Sequence, residues 1–303
     1  MATPAQSDVS RPAHRRGLHL LVPREHGAYG QLLFPLATAL AIGNRGPAAL
    51  ALASACILAF VAHESVLVLL GHRGARAARE RHAEAVAWLV VCVVFAAVAG
   101  GWALVFMSPE GRLSLALPAT LALLLVPFIR ARREHSTSGE IVAAIALSSC
   151  SVPVALAGGA PPASAAWCWL AFALAFVVAT VAVRAVIVRV KTTPQPPNHV
   201  HVGAVGPAPE WRAPGARAMS GRGGTAWQAT AVCLALGTIG VSLGCVALEW
   251  VPVTAGLAPV PVAGLAAVVS LNPPHPRHLR SVGWALVTAT AFTAVMLTIA
   301  YTG

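Results

Sequence analysis

The feature that most constrains this chain is an alternation. Long, nearly uncharged runs are separated by connections in which nearly all the arginine is found. The apolar runs fall near 28–43, 48–70, 85–107, 113–129, 140–158, 164–188, 226–248, 253–271 and 281–301. Most reach the roughly 20 residues that a helix needs to cross about 30 Å of hydrocarbon. The first and fourth are short. Only helices and closed barrels satisfy every backbone polar group inside lipid, and runs of this length are helical ones. Composition agrees: 57% of the 303 residues are hydrophobic and 10% are charged, whereas a soluble chain carries roughly 25% charged residues. The expected fold is an all-α, polytopic membrane bundle of about nine transmembrane helices.

The basic residues then set an orientation. The net charge of +11 would point to nucleic acid if it formed one stripe on a soluble fold, but here it is divided among connections. Arg11, Arg15, Arg16 and Arg24 precede the first run; Arg73, Arg76, Arg79 and Arg81 follow the second; Arg130, Arg132 and Arg133 follow the fourth. Arg189, Lys191, Arg212, Arg217 and Arg222 follow the sixth, and Arg277 and Arg280 follow the eighth. The alternate connections hold only Arg45 and Arg112, and Arg184 lies inside the sixth run. Arginine and lysine stay on the cytoplasmic side, so the amino terminus is expected inside and the carboxyl terminus outside the cell membrane. Membrane lipids are the implied partners, and nucleic acid is not. The near absence of lysine, with the alanine-rich background, reads as the coding bias of a bacterial source.

Domain organisation follows from the same pattern. Residues 1–17 are expected to be a flexible cytoplasmic tail, and 18–303 a single transmembrane domain. A long Pro- and Gly-rich connection at 192–225 is expected to be a mobile cytoplasmic loop. The six cysteines all fall within apolar runs without a C-x-x-C pair, so they read as small packing residues rather than metal or disulfide sites. The histidine spacings match no tight metal site.

Acidic residues are few enough for each to carry weight, and Asp8 is the only aspartate. Glu25 and His26 open the first helix within Pro23-Arg24-Glu25-His26-Gly27-Ala28-Tyr29-Gly30, where an acid suits the helix amino end and glycine lets a ligand or backbone approach. His63 and Glu64 lie about seven residues before the end of the second run, roughly 10 Å deep. A carboxylate at that depth is costly unless paired or hydrated, and so marks a functional position. The structural alternative is an ion pair, with Arg184 as the expected partner. Arg184 and Lys191 are seven apart on one helix face; they can snorkel, neutralise Glu64 or hold an anionic ligand. Glu140 follows Ser136-Thr137-Ser138, any of which can cap the fifth helix. His275 and His278, before the last run, read as headgroup contacts. All these groups map to the cytoplasmic side, where they would line an inward-facing basic cavity. The candidate ligand-binding residues are therefore Glu25, His26, His63, Glu64, Glu140, Arg184 and Lys191. No catalytic residue, cofactor or metal is assigned.

The opening Pro23-Arg24-Glu25-His26-Gly27-Ala28-Tyr29, with the proline-containing helix after it, resembles the YwiC-like family of bacterial membrane proteins. Ser138-Gly139-Glu140 and the Arg184 to Lys191 stretch are similar too. That resemblance implies an integral membrane protein without an established biochemical role. More remotely, nine helices with polar loops after the second and sixth are similar to the UbiA prenyltransferase superfamily, which implies a UbiA-like bundle. UbiA enzymes hold magnesium and a prenyl diphosphate through aspartate-rich motifs in those loops. The corresponding regions here offer His63-Glu64 and Arg189-Val190-Lys191, which lack the hard oxygen ligands that magnesium needs. Three readings follow. In one, the bundle binds an amphipathic, isoprenoid- or quinone-like ligand; in another it is a proton-coupled transporter; in the third it is an accessory protein without a site. The absence of clear inverted repeats or paired broken helices counts against the transporter.

Overall fold

The structure, a computed structural model, describes residues 26–133, 135–192, 215–275 and 278–303. The tail at 1–17, Glu25 and most of the long connection lie outside the described residues. Thirteen helices and no strand occur among them. They are α1 (His26–Ile42), α2 (Pro47–Leu69), α3 (Ala75–Glu80), α4 (His82–Phe106), α5 (Pro109–Ser114), α6 (Ala116–Arg130) and α7 (Thr137–Ser149). There follow α8 (Ser151–Ala157), α9 (Pro162–Thr192), α10 (Gly215–Ala247), α11 (Val253–Leu257), α12 (Val260–Leu271) and α13 (Leu279–Thr302).

Among the described residues, eight helical stretches are long and apolar enough to cross a membrane: 47–69, 82–106, 109–130, 137–157, 162–189, 224–247, 253–271 and 279–302. They coincide with eight of the nine expected runs, and the protein is a multi-pass membrane protein built as an all-α bundle. The first run forms α1, whose 17 described residues rise about 25 Å. The fourth gains length from α5, which Ser108 caps by accepting a hydrogen bond from the Gly111 amide at 3.1 Å.

The centre of the bundle is α9, which packs against α1, α7, α8, α10, α12 and α13. Ala165, Cys168, Ala171, Ala175, Ala182 and Ala185 are fully buried along it, with Phe172 among them. Lipid cannot drive helices together by the hydrophobic effect, so close approach of small residues does that work. The same device joins α2 to α4, where Gly100 sits so near that an added Cβ would meet Ala55 at 3.7 Å. This hairpin packs on the remainder mainly through α2 against α8. At the other flank α6 leans on α7 and buries none of its residues.

Two of the described spans are interrupted near a proline, the fifth as its Pro153 leads one to expect and the eighth without such an expectation. The fifth breaks at Cys150 between α7 and α8, and the eighth at Ala258-Pro259 between α11 and α12. Proline supplies no amide hydrogen, so Pro153 and Pro259 leave the carbonyls four residues earlier without their helical donors. At the second kink that carbonyl belongs to Ala255, and the Trp167 indole of α9 donates to it at 2.9 Å. Thr293 of α13 donates to the Ala258 carbonyl at 2.8 Å. Trp169, two residues along α9, donates to the Ile145 carbonyl of α7 at 3.3 Å. One helix thus braces both kinked spans.

The end of the bundle where α1 meets α2 is closed by backbone contact. The Asn44 amide donates to the Gly158 carbonyl at 2.6 Å, and a Cβ on Gly158 would lie 2.7 Å from the Asn44 carbonyl oxygen. Only glycine fits there.

Candidate functional site

The expected polar residues form two acid–arginine pairs at the opposite end. The first belongs to the turn after α2. The His72 amide donates to the Leu67 carbonyl and the Gly71 amide to the Val68 carbonyl, both at 3.0 Å. Gly71 takes φ +73°, the left-handed conformation with which glycine commonly closes a helix. The reversal carries Arg73 back over the last turns of α2. Its Nε donates to Glu64 Oε1 at 2.8 Å and its Nη2 to Glu64 Oε2 at 2.6 Å. Glu64 is only 6% exposed, and this two-pronged pairing supplies both of its oxygens with donors there. His63 stands beside it on the exposed face.

Tyr29 of α1 joins this group, although the sequence reading quoted it only as part of the opening motif. Its ring meets Phe60 edge-on at 5.2 Å, and it lies within electrostatic reach of Glu64. Its hydroxyl and the Trp88 indole nitrogen are buried without a hydrogen-bond partner among the described residues. His26 starts α1 one turn earlier. The signal available in the sequence was position: Tyr29 is one turn from His26, on the same helix face.

The second pair forms where α7 begins. Ser136 is the cap, accepting from the Gly139 amide at 3.2 Å, and Glu140 occupies the first turn, where the helix dipole favours an anion. Arg184 Nη2 donates to Glu140 Oε1 at 2.9 Å and also to the His135 carbonyl. Arg184 was expected to neutralise Glu64. It serves Glu140 instead, because α9 packs on α7 while Arg73 already fills both carboxylate oxygens of Glu64.

A cavity of about 320 Å³ opens beside this second pair, lined by Glu140, Ala179, Thr180, Val183, Arg184 and Ile187. Its wall is mostly one face of α9, apolar except where Thr180 and the ion pair meet it. Lys191 lies two turns beyond Arg184 on the same helix. Neither His63 nor Glu64 lines this cavity, so the two pairs are separate features. Among the described residues no three His, Cys, Asp or Glu side chains gather as a metal site would require. A smaller, apolar cavity of about 230 Å³ lies between α1 and α13, bounded by Ala37, Thr38, Ala294, Val295, Thr298 and Ile299.

The remaining arginines of the 71–84 segment are also matched. Arg76 Nε donates to Glu80 at 2.7 Å, and Arg81 Nε donates to Glu84 at 3.0 Å. The bond to Glu80 raises the Arg76 guanidinium above its ordinary pKa. Arg79 Nε donates to the Ala75 carbonyl at 3.3 Å.

No curated protein and no solved structure matches the chain, and the comparisons do not show the likeness to the UbiA superfamily. A match does exist for residues 22–156, to the family model described as YwiC-like protein. The matched stretch holds the opening motif, Tyr29, Glu64, Arg73 and Glu140, and stops before Arg184. From Val22 to Leu156, less than half of its length, the chain is similar to the YwiC-like family.

Proposed function

We propose that this membrane protein holds an amphipathic ligand, isoprenoid- or quinone-like, in the cavity beside Glu140 and Arg184. One observation carries the reading: an apolar wall of Ala179, Val183 and Ile187 runs directly into an arginine and a carboxylate. Apolar lining with a few placed polar groups is the usual composition of a small-molecule site. Arg184 spends one nitrogen on its two acceptors, and its other donors are available for an anionic head, with Lys191 further along the helix. In this reading the cavity faces the cytoplasm, the amino terminus is inside and the carboxyl terminus outside, because the basic connections alternate with nearly uncharged ones. In this reading Glu64 with His63 provides hydrogen bonding or proton exchange, and Glu25 and His26 belong to the ligand set by their place in the opening motif alone.

The test is the lipid that copurifies with the protein, identified by mass spectrometry. One anionic amphiphile is expected in the wild type and its loss in Arg184→Gln. Retention of the same molecule by that variant overturns the site. Incubation with a prenyl diphosphate is expected to give no turnover with or without magnesium, since Asp8 is the only aspartate; magnesium-dependent turnover would make the protein an enzyme of the UbiA type.

A transporter is the second reading, and the paired kinks in the fifth and eighth spans favour it, since interrupted helices mark many transport sites. Glu64 would then be the proton site. Reconstituted vesicles separate the two: substrate-driven proton movement that disappears in Glu64→Gln supports transport over ligand holding.

A further inference from the structure

The end of α6 differs from every other arginine-bearing turn described. The Arg133 amide donates to the Phe128 carbonyl at 2.8 Å and the Arg132 amide to the Ile129 carbonyl at 2.9 Å. This is the two-bond closure that normally places glycine in the left-handed position. Here the left-handed residue is Arg132, with φ 52°, a conformation that costs an L side chain energy. Such a departure points to a role for the side chain rather than for the turn.

Among the described residues the three guanidiniums at this corner have no carboxylate partner. Arg130, Arg132 and Arg133 are all exposed, and none forms a side-chain hydrogen bond or ion pair with a described residue. By contrast Arg73, Arg76 and Arg81 each hold a carboxylate, and so does Arg184. Helix capping does not account for the three either, because the Pro127, Phe128 and Ile129 carbonyls already accept backbone amides. Glu134, outside the described residues, still leaves the corner at a net charge of +2.

Directly above the corner, α6 offers a surface for hydrocarbon. None of its residues is buried, and Leu123, Leu124 and Val126 are 69%, 53% and 42% exposed. We infer that Arg130, Arg132 and Arg133 bind the phosphate of an anionic phospholipid whose acyl chains lie along α6. Planar guanidinium forks match phosphate oxygens in pairs, and several arginines beside a membrane surface select anionic over zwitterionic lipid. Neither the orientation of the protein nor the cavity at Arg184 enters this inference.

The experiment uses the full chain, equilibrated with phosphatidylcholine vesicles with and without phosphatidylglycerol. Lipid retained after purification is counted by native mass spectrometry, and melting is followed in parallel. Wild type is expected to keep phosphatidylglycerol over phosphatidylcholine by about tenfold or more. The triple variant Arg130→Gln, Arg132→Gln, Arg133→Gln is expected to lose that preference, and Arg76→Gln to keep it. Arg132→Gly relaxes the turn, so it should melt at a higher temperature yet retain less phosphatidylglycerol. Equal retention of both lipids by wild type, or an unchanged preference in the triple variant, overturns the inference. So does an Arg132→Gly protein that melts higher with its lipid preference intact. Inorganic phosphate that binds without any retained phospholipid overturns the lipid assignment as well.

Discussion

The two ends of the bundle are fastened by different means. Where α1 meets α2, the chain is joined to the end of α8 through backbone, with Asn44 against Gly158 and no side chain between them. Where α2 and α7 have their polar ends, the fastening is by charge: Arg73 on Glu64 and Arg184 on Glu140. Backbone contact leaves no room for a guest. Paired charges leave room, and a cavity lined by a carboxylate and a guanidinium is found beside a pair. An end built for closure and an end built for recognition therefore differ in what they place at the contact.

The sharpest way to break this contrast is Arg73→Ala, which strands Glu64 in a nearly buried position. Removing one partner of a buried pair costs about 3 kcal/mol or more, read as a lowered melting temperature. Adding Glu64→Gln should restore much of the loss, because the uncompensated charge is gone; a double variant as unstable as the single would show that Arg73 acts by packing alone. At the closed end, Gly158→Ala must displace the Asn44 carbonyl, with a cost of about 2 kcal/mol as expected for overpacking. Equal melting of Gly158→Ala and wild type would mean that this end yields, and the contrast would fail. Smaller still is Trp167→Phe, which keeps an aromatic ring of smaller size but removes the donor to the Ala255 carbonyl, at about 1 kcal/mol for the lost hydrogen bond. Arg76→Gln at the fully exposed Glu80 pair should leave the melting curve unchanged; a clear shift would show the 71–84 segment to be more ordered than its exposure implies.

The spans were legible because lipid imposes a length and a charge rule on every helix, and the eight long stretches start and stop within a few residues of the apolar runs. Which polar groups meet was not legible. Glu64 was recognised as costly, yet its partner depends on the turn at Gly71 bringing Arg73 back, and the reading looked to a distant helix instead. Arg184 could be assigned to Glu140 only once α9 was known to pack on α7. The kink at Pro259 was equally hidden, since a proline near the start of a span looks like an ordinary helix opening until Trp167 is seen at the carbonyl it frees. Tyr29 was in view throughout; what marks it is the unpartnered hydroxyl, which no sequence displays.

Trp167 and Trp169 are separated by two positions, and therefore point about 200° apart around α9. Each is tied to a different kinked span, so turning α9 on its axis would strain both ties together. The helix works as a fixed mast. Any axial turn of α9 would therefore have to carry the fifth and eighth spans with it.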